Sequence, residues 1–187
     1  FIGSGQMVSV RETDRRLYHD VIAYATQAGD DDLAQQMLSY GEPPYSSAYG
    51  NMFVFQHYDK LYRPYDPPQA YVQRGEGSGI GPWGLLGSEY TLVERVNVLR
   101  GLADTFAVMY PQIQEVDLRR DVPRLEVPVY VLDGQAELAA RRDLALEWYE
   151  RLQAPQKHLF SFESAAHAVA FEQFEAFQRI MTGTVLT

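Results

Sequence analysis

Two short apolar runs near the end of the chain, Val127-Pro128-Val129-Tyr130-Val131-Leu132-Asp133 and Lys157-His158-Leu159-Phe160-Ser161-Phe162, constrain its fold more than any other feature. The first is rich in β-branched residues and bounded by turn residues, the pattern of a buried parallel strand. A helical stretch from about Arg142 to Leu152, with Pro155 at its exit, lies between them, and Phe171 to Met181 reads as a closing amphipathic helix. Two strands joined by a helix predict a parallel crossover. A parallel sheet this apolar needs neighbouring strands and cover on both faces, so two strands alone would leave apolar edges open. Phe1-Ile2-Gly3 reads as the end of a third strand, and the remaining strands are expected upstream of this sequence.

Before the first run the pattern is helical. Ser9 and Glu12 have capping-box spacing, Leu17, Val21 and Ala25 then recur with Tyr18 and Ile22, and Gly29 supplies a stop, which predicts a helix from about Arg11 to Ala28. A second helix is expected from about Asp31 to Tyr40, with aspartates at its N-terminal end and Gly41 closing it. From Gly41 to Trp83, prolines and glycines break any period. That stretch reads as loop-rich, its many aromatics packing locally or lining a small-molecule pocket. A longer helix follows from about Ser88 to Met109, ending before Pro111, with Leu92, Val96 and Leu99 on one face.

Composition narrows the function. Across 187 residues, 46% hydrophobic and 22% charged residues are ordinary for one folded domain. A formal charge of −9 offers no clustered cationic face for a phosphate backbone, so no nucleic-acid partner is expected. No apolar run is long enough to span a membrane. With no cysteine, thiolate nucleophiles, thiolate zinc sites and disulfide frameworks are excluded, and a cytoplasmic setting is suited without being required. The first residues, Phe1 to Met7, lack an initiating methionine and a basic n-region, so further polypeptide is expected before Phe1.

In α/β folds, reactive groups sit on loops just past the carboxyl ends of strands. Two loops answer that description: Asp133-Gly134-Gln135-Ala136-Glu137 and Glu163-Ser164-Ala165-Ala166-His167. A carboxylate on one can orient an imidazole on the other, which can then deprotonate a serine.

At these residues the chain resembles the proline-iminopeptidase-like branch of the α/β-hydrolases. The resemblance rests on Phe1-Ile2-Gly3-Ser4-Gly5-Gln6 leading into a helical region, on Val127 to Gly134 with an acid three residues beyond the glycine, and on Glu163 to His167 followed by Phe171-Glu172. It implies an α/β fold, the C-terminal portion of a hydrolase sheet with an inserted, mainly helical cap. The end of a core strand would fall at 1–7, the cap at 8–120 and the rest of the core at 121–187. It also implies a serine hydrolase, an aminopeptidase or a related amidase or esterase, with His167 as general base and Glu137 as the acid that orients it. No metal or organic cofactor is implied. The expected partners are the N-terminal half of the same hydrolase and a small-molecule or short-peptide substrate.

The family's serine stands in a G-x-S-x-G elbow, and none is present. Ser4 is flanked two positions away by Ile2 and Gln6, and Ser78 by Glu76 and Ile80, so both read as turn residues. The oxyanion-hole loop is also missing. The family usually has Asp where this chain has Glu137, and proline where it has Arg141; Asp133 and Asp143 are rival acids. His19, His57 and His158 lack metal-ligand spacing and read as non-catalytic. Glu42 reads as a solvated loop residue, with holding a substrate's amino group as the alternative. Two further readings stand beside the enzyme: a binding protein that has lost catalysis, and a stand-alone helical interaction module.

Overall fold

A computed structural model describes residues 1–73 and 91–186. Its sheet has three strands, all parallel, in the order β1 (Ile2–Ser4), β2 (Val129–Gly134), β3 (Lys157–Phe162). β1 pairs Ile2 with Tyr130 and Ser4 with Leu132, while β2 pairs Val129 with Lys157 and continues in register to Gly134 with Phe162. The expected α/β class and the third strand at the start of the chain are both present. Because β2 is central, Val129, Val131 and Leu132 are almost wholly buried.

The helical block begins with α1 (Val10–Ala28) and α2 (Asp31–Tyr40). The Ser9 hydroxyl accepts the Glu12 amide and Gly29 closes α1 in the left-handed conformation; the Asp30 carboxylate accepts the Leu33 amide to start α2. Only half of the capping box forms at α1, because Arg15 and Arg16 take the Glu12 carboxylate instead. The stretch expected as loop contains three short helices, α3 (Ala48–Phe55), α4 (Tyr58–Leu61) and α5 (Gln69–Gln73). Tyr45, Val54 and Tyr58 from this stretch bury themselves against Leu17, Tyr18, Val21 and Met37, so these aromatics pack locally; residues 74–83 of the stretch lie outside the described residues. Tertiary burial, not period, makes these helices, which is why proline and glycine hid them.

The long helix, α6, is described over Leu92–Ile113. Thr91 caps it with a full capping box, its hydroxyl accepting the Glu94 amide at 3.3 Å while Glu94 accepts the Thr91 amide at 2.7 Å. Ser88, the expected start, lies outside the described residues. The helix runs through Pro111 rather than stopping before it: a proline in the last turn forgoes one bond, to the carbonyl four residues back, while its φ remains helical. Leu92, Val93 and Val96 are exposed, and Phe106 and Tyr110 carry the contact with the core.

After α7 (Leu118–Asp121) and β2, helix α8 (Ala139–Arg151) starts a turn earlier than its period predicts, because Leu138 and Ala140 are drawn into the helical block's core. Its other side buries Leu144, Ala145 and Trp148 against Val129 and Val131, the Trp148 indole donating to the Val122 carbonyl at 3.0 Å. Burial of a side chain of that size is worth about 3 kcal/mol. On the opposite face of the sheet, Leu132, Phe162, Ala165 and Val169 form a third cluster with Phe177 and Ile180. The single closing helix expected there is instead α9 (Val169–Glu172) and α10 (Phe174–Ile180), broken at Gln173 and followed by a π-turn at Met181–Val185. No helix among the described residues is long and apolar enough to cross a membrane.

Candidate active site

β2 and β3 run parallel and in register, so their carboxyl ends release two loops side by side. Backbone bonds then hold the loops together. The Gln135 amide donates to the Phe162 carbonyl at 2.9 Å, and the Ala136 amide to the Ala165 carbonyl at 3.0 Å. This approach requires a glycine at 134, since a Cβ there would lie 2.0 Å from the Ala166 carbonyl oxygen and 2.6 Å from that of Ala165.

The two sequence-predicted residues meet across this junction. The Glu137 carboxylate, whose side chain is only 5% exposed, hydrogen-bonds through Oε2 to Nδ1 of His167, while its Oε1 accepts the Leu138 amide at 2.8 Å. In the turn that precedes the carboxylate the Glu137 amide bonds the Gly134 carbonyl at 3.1 Å. In the tautomer that donates from Nδ1 to the carboxylate, Nε2 is the acceptor nitrogen of the ring, and the His167 side chain is 39% exposed. Gly5, just past β1, packs on that ring with φ of +56°; a Cβ there would stand 2.7 Å from Cε1. All three strands therefore deliver a residue to one point.

The rivals are engaged elsewhere. Asp133 accepts Arg142 Nε at 2.9 Å and the Ser161 hydroxyl at 3.2 Å on the α8 face of the sheet, and burial pushes its carboxyl up against the pull of Arg142. Asp143 is exposed on α8, in a depression shared with Arg15, Arg16 and His19. Glu42, on the surface of the helical block, lies 3.8 Å from His19. His57 is packed edge-on against Phe53, and burial lowers its pKa. His158 stacks on Tyr130. Ser4 is exposed at the end of β1, and Ser78 lies outside the described residues. Among the described residues no group of three or more His, Cys, Asp or Glu could hold a metal ion.

Two contributors, Arg141 and Glu172, stand at positions to which the motif gives no role. Arg141, where the resemblance leads one to expect proline, stacks its guanidinium 4.8 Å over the Tyr58 ring and reaches to 4.0 Å from Glu137 Oε1. Glu172, 3% exposed, accepts the Ala166 and Ala168 amides, both at 2.9 Å, on either side of His167. The spacing of Ala168 and Glu172, one helical turn, is the signal that could have indicated the second of these contacts.

No family model matches the chain. Over 98 residues it is 26% identical to a probable aminopeptidase, YbaC, of Bacillus subtilis (strain 168), covering 52% of this chain and 31% of that protein. An α/β-hydrolase enzyme from a Medee basin deep-sea metagenome library superposes over 100% of this chain and 55% of its own, with a TM-score of 0.50 and 14% identity. An esterase from Exiguobacterium antarcticum aligns over 63% of this chain and 47% of its own, with a TM-score of 0.37 and 16% identity. The chain thus spans about a third of that curated relative and about half of the first of these solved structures.

Proposed function

We propose, starting from the α/β-hydrolase fold that this chain carries, that it supplies the acid and the general base of a serine hydrolase whose nucleophile stands on polypeptide outside these residues. The observation that carries the reading is the hydrogen bond from His167 Nδ1 to a buried Glu137, made at the carboxyl ends of two parallel strands. In that arrangement a serine hydroxyl loses its proton to His167 Nε2 as its oxygen bonds the substrate's carbonyl carbon. Glu137 holds the ring in the right tautomer and stabilises the imidazolium. His167 then returns the proton to the leaving group as that bond breaks, leaving an acyl-enzyme. Water, deprotonated by the same nitrogen, releases the acid and regenerates the serine.

Among the described residues β1 is hydrogen-bonded to β2 on one side only, and its other edge is the pairing site for the strand that leads into the serine. Residues 8–120 act as the cap over the site. The similarity to a probable aminopeptidase favours an amide bond in a small peptide as the substrate over an ester.

The test is to treat the full-length protein with a serine-directed fluorophosphonate and locate the adduct by mass. Labelling of one serine within a G-x-S-x-G, suppressed by His167→Ala, is the expected result. A full-length protein that takes up no phosphonate, or takes it up equally without His167, overturns the reading in favour of a binding protein on a hydrolase scaffold.

A further inference from the structure

The loop that carries His167 has no regular secondary structure of its own between β3 and α9, yet the imidazole must be held to within a fraction of an ångström to serve as a base. Its restraints can be traced one by one. On the acid-loop side, the Ala165 carbonyl is taken by the Ala136 amide. On the other side, the Gln173 side chain donates to the Ser164 carbonyl at 3.1 Å. The two amides that flank His167, those of Ala166 and Ala168, have no backbone carbonyl as partner among the described residues, and both go to the carboxylate of Glu172. Each oxygen takes one: Oε2 accepts Ala166 and Oε1 accepts Ala168, both at 2.9 Å.

Glu172 lies at the end of α9 and is 3% exposed. A buried carboxylate is costly unless its oxygens are satisfied, and here two main-chain donors satisfy it. The Tyr65 hydroxyl, from the helical block, stands beside the same carboxylate, and burial first, with the Glu172 charge next, pushes that phenol well up. The residue therefore holds the main chain through the amide of the residue before the histidine and the amide of the residue after it, and meets the helical block at the same point. Glutamine in its place would keep the volume but present an NH2 to one of the two amides, so one bond becomes a donor-to-donor clash. Aspartate would keep the charge and fall one methylene short.

From this arrangement we infer that Glu172 is the positioning residue of the histidine: it sets the rotation of the peptide units around His167 so that Nδ1 meets Glu137. The inference rests on the hydrolase reading for its effect on reactivity, and on the Glu137–His167 contact alone for its effect on structure.

The experiment is a double-mutant cycle on the full-length protein, read by the rate of fluorophosphonate labelling and, separately, by proton NMR of the downfield Nδ1–H of His167. Glu172→Gln is expected to slow labelling about tenfold to a hundredfold and to abolish or shift the downfield resonance, with amide exchange at Ala166 and Ala168 accelerated. In a Glu137→Ala background the same change should slow labelling by less than about twofold, because the contact it serves is already gone. An equal loss in both backgrounds, or a downfield resonance unchanged in Glu172→Gln, overturns the inference and leaves Glu172 a folding residue. Glu172→Asp, expected to give an intermediate loss, carries the same cycle should the glutamine variant fail to fold. If the wild-type protein is not labelled at all, the hydrolase reading fails, while the resonance and the amide exchange still decide the role of Glu172.

Discussion

The carbonyl oxygen of Ala166 lies 2.0 Å from where a Cβ on Gly134 would stand, so the histidine loop rests directly on the backbone of the acid loop. The obstacle is main chain on both sides, which no side-chain rotation can relieve. Gly134→Ala is therefore expected to destabilise the protein by about 3 kcal/mol, measured by urea unfolding, and to break the Glu137–His167 hydrogen bond, seen as loss of the downfield imidazole proton. A variant as stable as the wild type would mean that the loops can part without cost.

Gly5 offers a finer perturbation of the same point. Its φ of +56° and the 2.7 Å approach of His167 Cε1 leave no room for a methyl group, but the two nearest atoms belong to a half-exposed ring, and the nearest main-chain neighbour, the His167 carbonyl oxygen, stands at 3.3 Å. Gly5→Ala should cost only about 1–2 kcal/mol, the penalty of a left-handed alanine, while slowing phosphonate labelling of the full-length protein by about tenfold. Unchanged labelling kinetics would show that the ring does not depend on this contact.

The choice between acids is settled by two isosteric changes. Glu137→Gln keeps the shape and removes the charge that stabilises the imidazolium, so labelling should fall by about 10⁴-fold, as in the Ser-His-Asp template. Asp133→Asn breaks a buried ion pair with Arg142 instead. It should lower stability by about 3 kcal/mol and leave the labelling rate within about threefold, since a catalytically silent acid contributes only through folding. The reverse pattern would transfer the catalytic role to Asp133.

A buried network in the helical block carries a pH dependence. Tyr110 donates to Asp14 at 2.7 Å and accepts the Tyr45 amide at 3.1 Å, and burial raises the Asp14 carboxyl to about 6 against the pull of Tyr110 and of the Arg141 charge. A folded-state pKa above the unfolded value of 3.8 means that the native protein holds this proton more tightly than the unfolded chain. Asp14 is thus neutral at no cost below about pH 4, and stability is lost as pH rises from there through about 6. Compared with Asp14→Asn, which stays neutral, the wild type should lose about 2–3 kcal/mol between these limits. Parallel stability curves for the two proteins from pH 4 to 7 would contradict the account.

Local order was legible in the residues themselves. The bounds Asp31–Tyr40 and Lys157–Phe162 follow from caps and periods that span a few neighbours, as does the alternation of a helical block with strand, helix and strand that fixes the α/β class. The strand ends located the two loops, and the family resemblance singled out Glu137 and His167 on them. The short helices at 48–61, the early start of α8 at Ala139 and the break at Gln173 were not legible, because each follows from burial against segments distant in sequence. The same holds for the hold of Glu172 on both sides of the imidazole, whereas Glu137, which the family resemblance had named ahead of Asp133, is the carboxylate found on His167. Composition and periodicity act over one or two turns of chain, whereas the convergence of Gly5, Glu137 and His167 depends on strand register between segments more than a hundred residues apart. Only the packed tertiary structure specifies that register.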